Sequence, residues 1–137
     1  MSQSILRVCL FRLGQEVFAI EGSAVRQVLP EIVSAPLPDT SNTLRGLFAY
    51  QGRIIPLVNI HALLGHELPT GNATILLEQA GEAFAIGADR ILDFSNVVLG
   101  ATSQKPYLKN ELEYAGGKAY LLDLRALITA LNRDLAV

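Results

Sequence analysis

The sequence predicts a mainly β fold of two small related units that share one hydrophobic core, with short helical turns and a single C-terminal helix. Three observations carry this. Apolar runs of strand length recur along the chain, separated by glycine-led turns. The same series of segments returns at an offset of about 65 residues. The clearest stripe with helical period lies near the C-terminal end.

Residues 5–13, interrupted only by Arg7 and Arg12, read as a buried strand, and residues 17–20 return as its partner after a turn at 13–16. Ser23 is placed to cap a short helical turn or an ST-turn leading into residues 25–29. Pro30, Pro36 and Pro38 predict an extended surface connection. The next segment, Leu-Arg-Gly-Leu-Phe-Ala-Tyr-Gln-Gly-Arg-Ile-Ile-Pro-Leu-Val-Asn-Ile at residues 44–60, organises the rest. Its two apolar runs, 47–50 and 54–60, flank Gln51-Gly52 as the strands of a hairpin flank its turn. Gly46 marks a bend or a close backbone approach. Pro56 has no N–H to give a ladder, so its nitrogen is expected to face an edge or a bulge. A hairpin this apolar needs the remainder of the chain to cover it.

After one helical turn at residues 61–64, stopped by Gly65, a loop is expected at 67–72. Residues 73–78 and 82–88 form a second hairpin, and 89–94 extend the sheet after a bend. Residues 96–106 are expected to be a long connection. A third hairpin pairs 107–114 with 118–122 around Ala115-Gly116-Gly117. The closing helix carries Leu124, Leu127, Ile128, Leu131 and Leu135 on one face, with Asp123 as its cap.

The repeat is read by self-comparison. Phe18-Ala19-Ile20 returns as Phe84-Ala85-Ile86, and Asn59-Ile60-His61-Ala62-Leu63-Leu64 as Asp123-Leu124-Arg125-Ala126-Leu127-Ile128. Each unit alone is too small to bury its strands, which predicts two units packed face to face within a single domain spanning residues 1–137.

Composition narrows the function. With 137 residues, half of them hydrophobic, the chain is long enough for a core without staples and too apolar for disorder. A formal charge of -2 and a pI near 5.6 give no electrostatic footprint for nucleic acid or an anionic membrane. No apolar run approaches the ~20 residues of a membrane span. The start, Met1-Ser2-Gln3-Ser4, lacks the features of a signal peptide. Cys9, alone in an apolar run, reads as a buried thiol, and a cytoplasmic location is expected.

Reactive chemistry finds little support. His61 and His66 are five apart, which does not set them on one helical face, and no Cys or carboxylate cluster joins them; no metal is expected. Ser23, Ser34, Ser41, Ser95 and Ser103 have turn or loop contexts without a Gly-x-Ser-x-Gly frame. Asp93 and Asp123 read as strand-edge and capping residues, leaving Asp89 without a catalytic partner. Glycine-rich phosphate loops are absent, so no cofactor and no enzymatic activity are expected. What stands out is polarity on the apolar hairpin: Arg45 at its entry, Gln51 and Arg53 flanking Gly52 at its tip. These are solvated turn residues on one reading. On the other they mark a docking edge, which the amphipathic ring of Tyr50 favours.

Taken in order, several segments resemble the chemotaxis coupling proteins, the CheW-like domains. They are Leu13-Gly14 with Phe18-Ala19-Ile20, Val25-Arg26-Gln27-Val28, Leu37-Pro38, Leu44-Arg45-Gly46-Leu47, and Gln51-Gly52-Arg53-Ile54-Ile55-Pro56-Leu57-Val58-Asn59-Ile60. The resemblance covers roughly residues 11–131. It implies two SH3-like five-stranded β-barrel subdomains around a common core and a non-enzymatic adaptor. Such an adaptor bridges a cytoplasmic sensory histidine kinase (CheA-like, through its regulatory domain) and the cytoplasmic tips of methyl-accepting chemoreceptors, or another CheW-like domain. With no kinase or receiver domain in the chain, output is expected to come from those partners. By position, the resemblance implies kinase docking by Val25, Gln27, Leu47 and Phe48. It implies receptor or partner contacts by Arg45, Ala49, Tyr50, Gln51, Gly52 and Arg53. Where the family commonly has Asn-Leu-Arg-Gly, this chain has Ala49-Tyr50-Gln51-Gly52, and Gln51 cannot reproduce a guanidinium fork. The family's coupling proteins of twitching motility or phototaxis are the expected setting for such a change. Two other functions fit the same β frame: a small-ligand-binding barrel regulator, and a self-assembling structural or array protein.

Overall fold

A computed structural model describes residues 5–30, 43–66 and 73–135. Pro36, Pro38, Ser34, Ser41 and the loop expected at 67–72 lie outside the described residues, as does the side chain of Leu135. The elements run β1 (Ile5–Leu13), β2 (Glu16–Glu21), a 3-10 turn at Gly22–Ala24, β3 (Val25–Pro30), β4 (Leu44–Tyr50) and β5 (Arg53–Val58). There follow α1 (Ile60–Leu63), β6 (Ala73–Gln79), β7 (Glu82–Ala88), β8 (Arg90–Thr102), β9 (Leu108–Tyr114), β10 (Gly117–Leu122) and α2 (Leu124–Leu135).

The strands form two sheets. One is a closed barrel in the order β1-β2-β10-β9-β8, and the other a five-stranded sheet in the order β3-β6-β7-β5-β4. Each sheet takes its leading hairpin from one half of the chain and three strands from the other: β1–β2 with β8–β10, and β6–β7 with β3–β5. The expectation of one half packed against the other is amended accordingly, because the chain trades strands between sheets. The joins are short parallel pairs at corresponding places, Tyr120 opposite Phe18 and Leu121 opposite Ala19 in the barrel, Leu57 opposite Ala85 and Val58 opposite Ile86 in the second sheet.

Side-chain alternation explains why so many strands read as unbroken apolar runs: both faces are buried. Along β2, Val17 and Ala19 point into the barrel with Val8, Leu10, Val97, Leu112 and Leu121. Phe18 and Ile20, on the opposite face, enter a core between the sheets with Phe11, Ile75, Leu77, Phe84, Ile86 and Leu127. Along β7, Phe84 and Ile86 join that shared core while Ala85 turns into the second sheet's own cluster of Leu29, Phe48, Ile55, Leu57 and Leu76. That cluster draws on β3 and β4, the two ends of the sheet, so the sheet is curled; the Tyr50 hydroxyl donates to Gln27 Oε1 across its open seam.

Three details depart from the sequence reading. The connection expected at 96–106 is strand as far as Thr102, because β8 pairs with β1 through Val98 opposite Ile5 and then with β9 through Leu99 opposite Leu112. That hand-over closes the barrel. No side-chain bond caps the 3-10 turn, so Ser23 is not its cap. The second run of the central hairpin ends at Val58, and Asn59 turns the chain into α1. Asp123 does cap α2, accepting from the Ala126 amide at 3.0 Å. Asn59 N–H to Thr43 O and Asp123 N–H to Tyr107 O, at 2.7 and 2.8 Å, fix the two helix entries alike.

Candidate docking surface

The β4–β5 hairpin turns on Gln51 and Gly52, whose φ values of 48° and 77° are both positive, as a two-residue type I′ turn requires. This turn sets the register: Tyr50 faces Arg53 as a hydrogen-bonded pair, so Ala49–Ile54 and Leu47–Pro56 are the non-bonded pairs of the ladder. Pro56 therefore forfeits no bond to β4, and pairing with β7 starts only at Leu57. Its nitrogen points away from β4, to the side where β5 has no strand partner before Leu57, so it faces a local edge. The bulge falls between Leu44 and Gly46, where Gly46 was expected to mark a bend.

The register divides the hairpin's faces. Phe48, Tyr50, Ile55 and Leu57 line the inner cluster, and Phe48 is only 7 % exposed, so it supports the surface from beneath. Leu47, Ala49, Ile54 and Pro56 share the outer face; at its root half-buried Leu47 packs against the core between the sheets, Pro56 is half-buried, and toward the tip Ala49 is exposed and Ile54 is 66 % exposed. The matching hairpin of the barrel is an internal control. There β9–β10 puts Glu113 opposite Lys118 and Glu111 opposite Tyr120 where β4–β5 has Ala49 opposite Ile54 and Leu47 opposite Pro56. The exposed pair is charged in one sheet and hydrocarbon in the other, and folding gains little from a large aliphatic so placed, which makes this face a candidate for docking.

Around this face the structure gathers most of the anticipated residues. Gln51, Gly52 and Arg53 are exposed at the tip, and Arg45 is half-buried at the root. Gln27, exposed on β3, is tied to Tyr50, so it and the tip form one surface; Val25 is half-buried at the start of β3. Sequence reasoning missed Ile54, because Arg-Ile-Ile-Pro-Leu-Val reads as a uniformly buried run until the turn type fixes which residues face out. It also missed a second apolar stretch, Ile5 and its cross-strand neighbour Val98 with Phe94, which are 71 %, 40 % and 38 % exposed. An alternation of exposed Ile5 with Arg7 ahead of the buried run was the available signal.

Cys9 and His61 are both buried. Burial pushes the Cys9 thiol up to about 11, away from the reactive thiolate. His61, 2 % exposed, has its pKa lowered to about 4 by burial; the Asp89 carboxylate works against this, and Arg45 and His66 add to it. An unfolded imidazole titrates near 6.5. Between those values the unfolded chain binds a proton that the folded chain refuses, so stability is complete above about 6.5 and falls as the pH drops toward 4. The expected loss is about 2–3 kcal/mol. Urea midpoints at pH 7.5 and 4.5 read it directly, and His61→Gln is expected to flatten that part of the profile. No group of three or more metal-ligating side chains occurs among the described residues. A pocket where α1 meets β2 holds about 170 Å³, below the ~300 Å³ of ordinary ligand sites. A groove of about 690 Å³ lies open along β8 and β9, and an open cleft of about 340 Å³ is lined by Glu21 and Lys109 of the barrel with Gln79 of the second sheet and the start of α2. No helix among the described residues is long and apolar enough to cross a membrane.

Fold and surface together describe a two-sheet β scaffold that presents an apolar hairpin face. The family model of the CheW-like domain matches residues 7–131, and the chain belongs to that family of chemotaxis scaffold and adaptor domains. Among solved structures it is similar to the scaffolding protein TtCheW from Thermoanaerobacter tengcongensis, at a TM-score of 0.82 and 13 % identity, covering 97 % of this chain and 99 % of that one. At that identity the likeness speaks for the fold. None of the curated proteins matches the sequence.

Proposed function

We propose that this protein is a non-enzymatic coupling adaptor of the cytoplasm. It joins the regulatory domain of a sensory histidine kinase to chemoreceptor tips or to a second CheW-like domain, in chemotaxis or a related motility pathway. One observation carries the reading: the exposed pair Ala49–Ile54 on β4–β5 is hydrocarbon where its counterpart Glu113–Lys118 on β9–β10 is charged. On this reading Ile54 fills a recess on the kinase domain, Leu47, Val25 and Gln27 add contacts around it, and Phe48 supports the face from beneath. Arg45, Ala49, Tyr50, Gln51, Gly52 and Arg53 select the partner at the rim and tip. Docking acts by association alone, shifting the kinase between arrangements that bind the adaptor unequally. We also read the chain as a single domain of two pseudo-repeats that have exchanged strands.

Titration against the kinase regulatory domain from the same organism tests the reading, with saturable 1:1 binding expected and no association as the contrary result. Sizing at several concentrations without kinase separates the adaptor from a protein that assembles alone. Gln51→Arg restores a guanidinium to the tip and is expected to strengthen chemoreceptor-tip binding by about 5- to 150-fold, the ~1–3 kcal/mol of a charged pair at a desolvated site. Stability should not change, because residue 51 is exposed and keeps a side chain of similar length.

A further inference from the structure

The core between the sheets is apolar except for a seam where α1 meets the β1–β2 turn. Asp89 sits at the corner where the chain leaves β7, in the second sheet, for β8, in the barrel. It is pinned to the first hairpin twice: its amide donates to Arg12 O at 3.0 Å, and its Oδ2 accepts from the Gly14 amide at 2.6 Å. Its other oxygen, Oδ1, is buried without a hydrogen bond and faces His61 Nε2, also buried and unbonded, at 3.9 Å. That separation is too long for a hydrogen bond, and shorter than the about 4.5 Å that a water bridging at its tetrahedral angle spans. The gap therefore has two natural settings, apart or closed.

The surrounding groups come from every element packed here. His66, beyond α1, pairs with Glu16 of β2 at 2.8 Å and meets the Phe18 ring edge-on. Arg45 of β4 reaches the other side: its Nη1 and His61 Cε1 lie 3.6 and 3.8 Å from where a Gly87 Cβ would stand. The root of the docking strand, the imidazole, the carboxylate and the barrel's first turn thus form one continuous row.

We propose that His61 and Asp89 form a proton-operated latch between the two sheets. Neutral His61 leaves the Asp89 carboxylate on the Gly14 amide; protonated His61 draws Oδ1 toward its Nε2–H and loosens that amide bond and the turn it holds. Arg45 opposes proton uptake, so a partner carboxylate that draws Arg45 outward favours the closed setting. By linkage, the state of the latch alters affinity at β4 equally.

NMR titration of the full chain tests this. The His61 ring and the Gly14 amide are expected to titrate with one midpoint, and Arg45→Gln is expected to move both midpoints upward together. Asp89→Asn is expected to abolish the Gly14 response while His61 still titrates. A Gly14 amide unmoved through the His61 midpoint, or one that responds equally in Asp89→Asn, would overturn the latch. Amide exchange at pH 7 gives a reading free of acid unfolding. Asp89→Asn should speed exchange at Gly14 by about tenfold or more, whereas His61→Gln should leave it protected. Equal protection in Asp89→Asn and the native protein contradicts the proposal.

Discussion

Ile54→Asp is expected to weaken binding to the kinase regulatory domain by about 100-fold or more, while the melting temperature stays within about 2 °C of the parent. The two halves of this result have separate causes. Ile54 is 66 % exposed, so folding gains little from it, and a carboxylate there stays in water. In a complex the same carboxylate would be buried without a partner, at about 2–5 kcal/mol, and the lost hydrocarbon contact adds to that. Lys118→Asp, at the corresponding place on β9–β10, is the control: it is equally exposed by class, pairs across to Glu113, and should leave kinase binding within a few-fold. Calorimetric titration paired with thermal melts reads both quantities. A large fall in melting temperature for Ile54→Asp would mean the side chain supports the fold, and the docking assignment would then lose its main support.

Phe84→Ala should cost about 3–5 kcal/mol of folding free energy. The ring is fully buried on β7, a central strand of the second sheet, and enters the core shared with the barrel. Its removal leaves a cavity bounded by both sheets, and neither can move in to fill it without breaking pairs elsewhere. For a domain of this size that is a large share of a total near 5–15 kcal/mol. Urea unfolding should show one transition with a lower midpoint, because the core belongs to both sheets. Two separate transitions, with the barrel surviving, would contradict a shared core.

Most of the fold was legible because its signals are local. Glycines at the turns and apolar runs of strand length mark the hairpins, and the leucine stripe with Asp123 marks α2 and its start. The strand exchange was not legible, since the repeat reports which segments are alike and says nothing about which of them pair. β8 escaped for a different reason. Its stretch Ser95-Asn96-Val97-Val98-Leu99-Gly100 lies on a barrel wall with one face in solvent, changes pairing partner midway, and has a glycine that reads as a break. At the surface, residues 45–53 were legible as polar punctuation of an apolar hairpin. Ile54 was hidden by its apolar neighbours, and only the parity imposed by the Gln51-Gly52 turn separates it from buried Ile55. The Tyr50–Gln27 and His61–Asp89 contacts join residues 23 and 28 apart in sequence, which no local pattern reports.

The central claim is that this protein works by presenting the outer face of one hairpin to a kinase domain, and hydrogen–deuterium exchange of the pair tests it most directly. Binding should slow exchange across β4 and β5, most at residues 47–54, and leave β9–β10 unchanged. A footprint confined to β9–β10, or no protection at saturating kinase domain, would contradict the account.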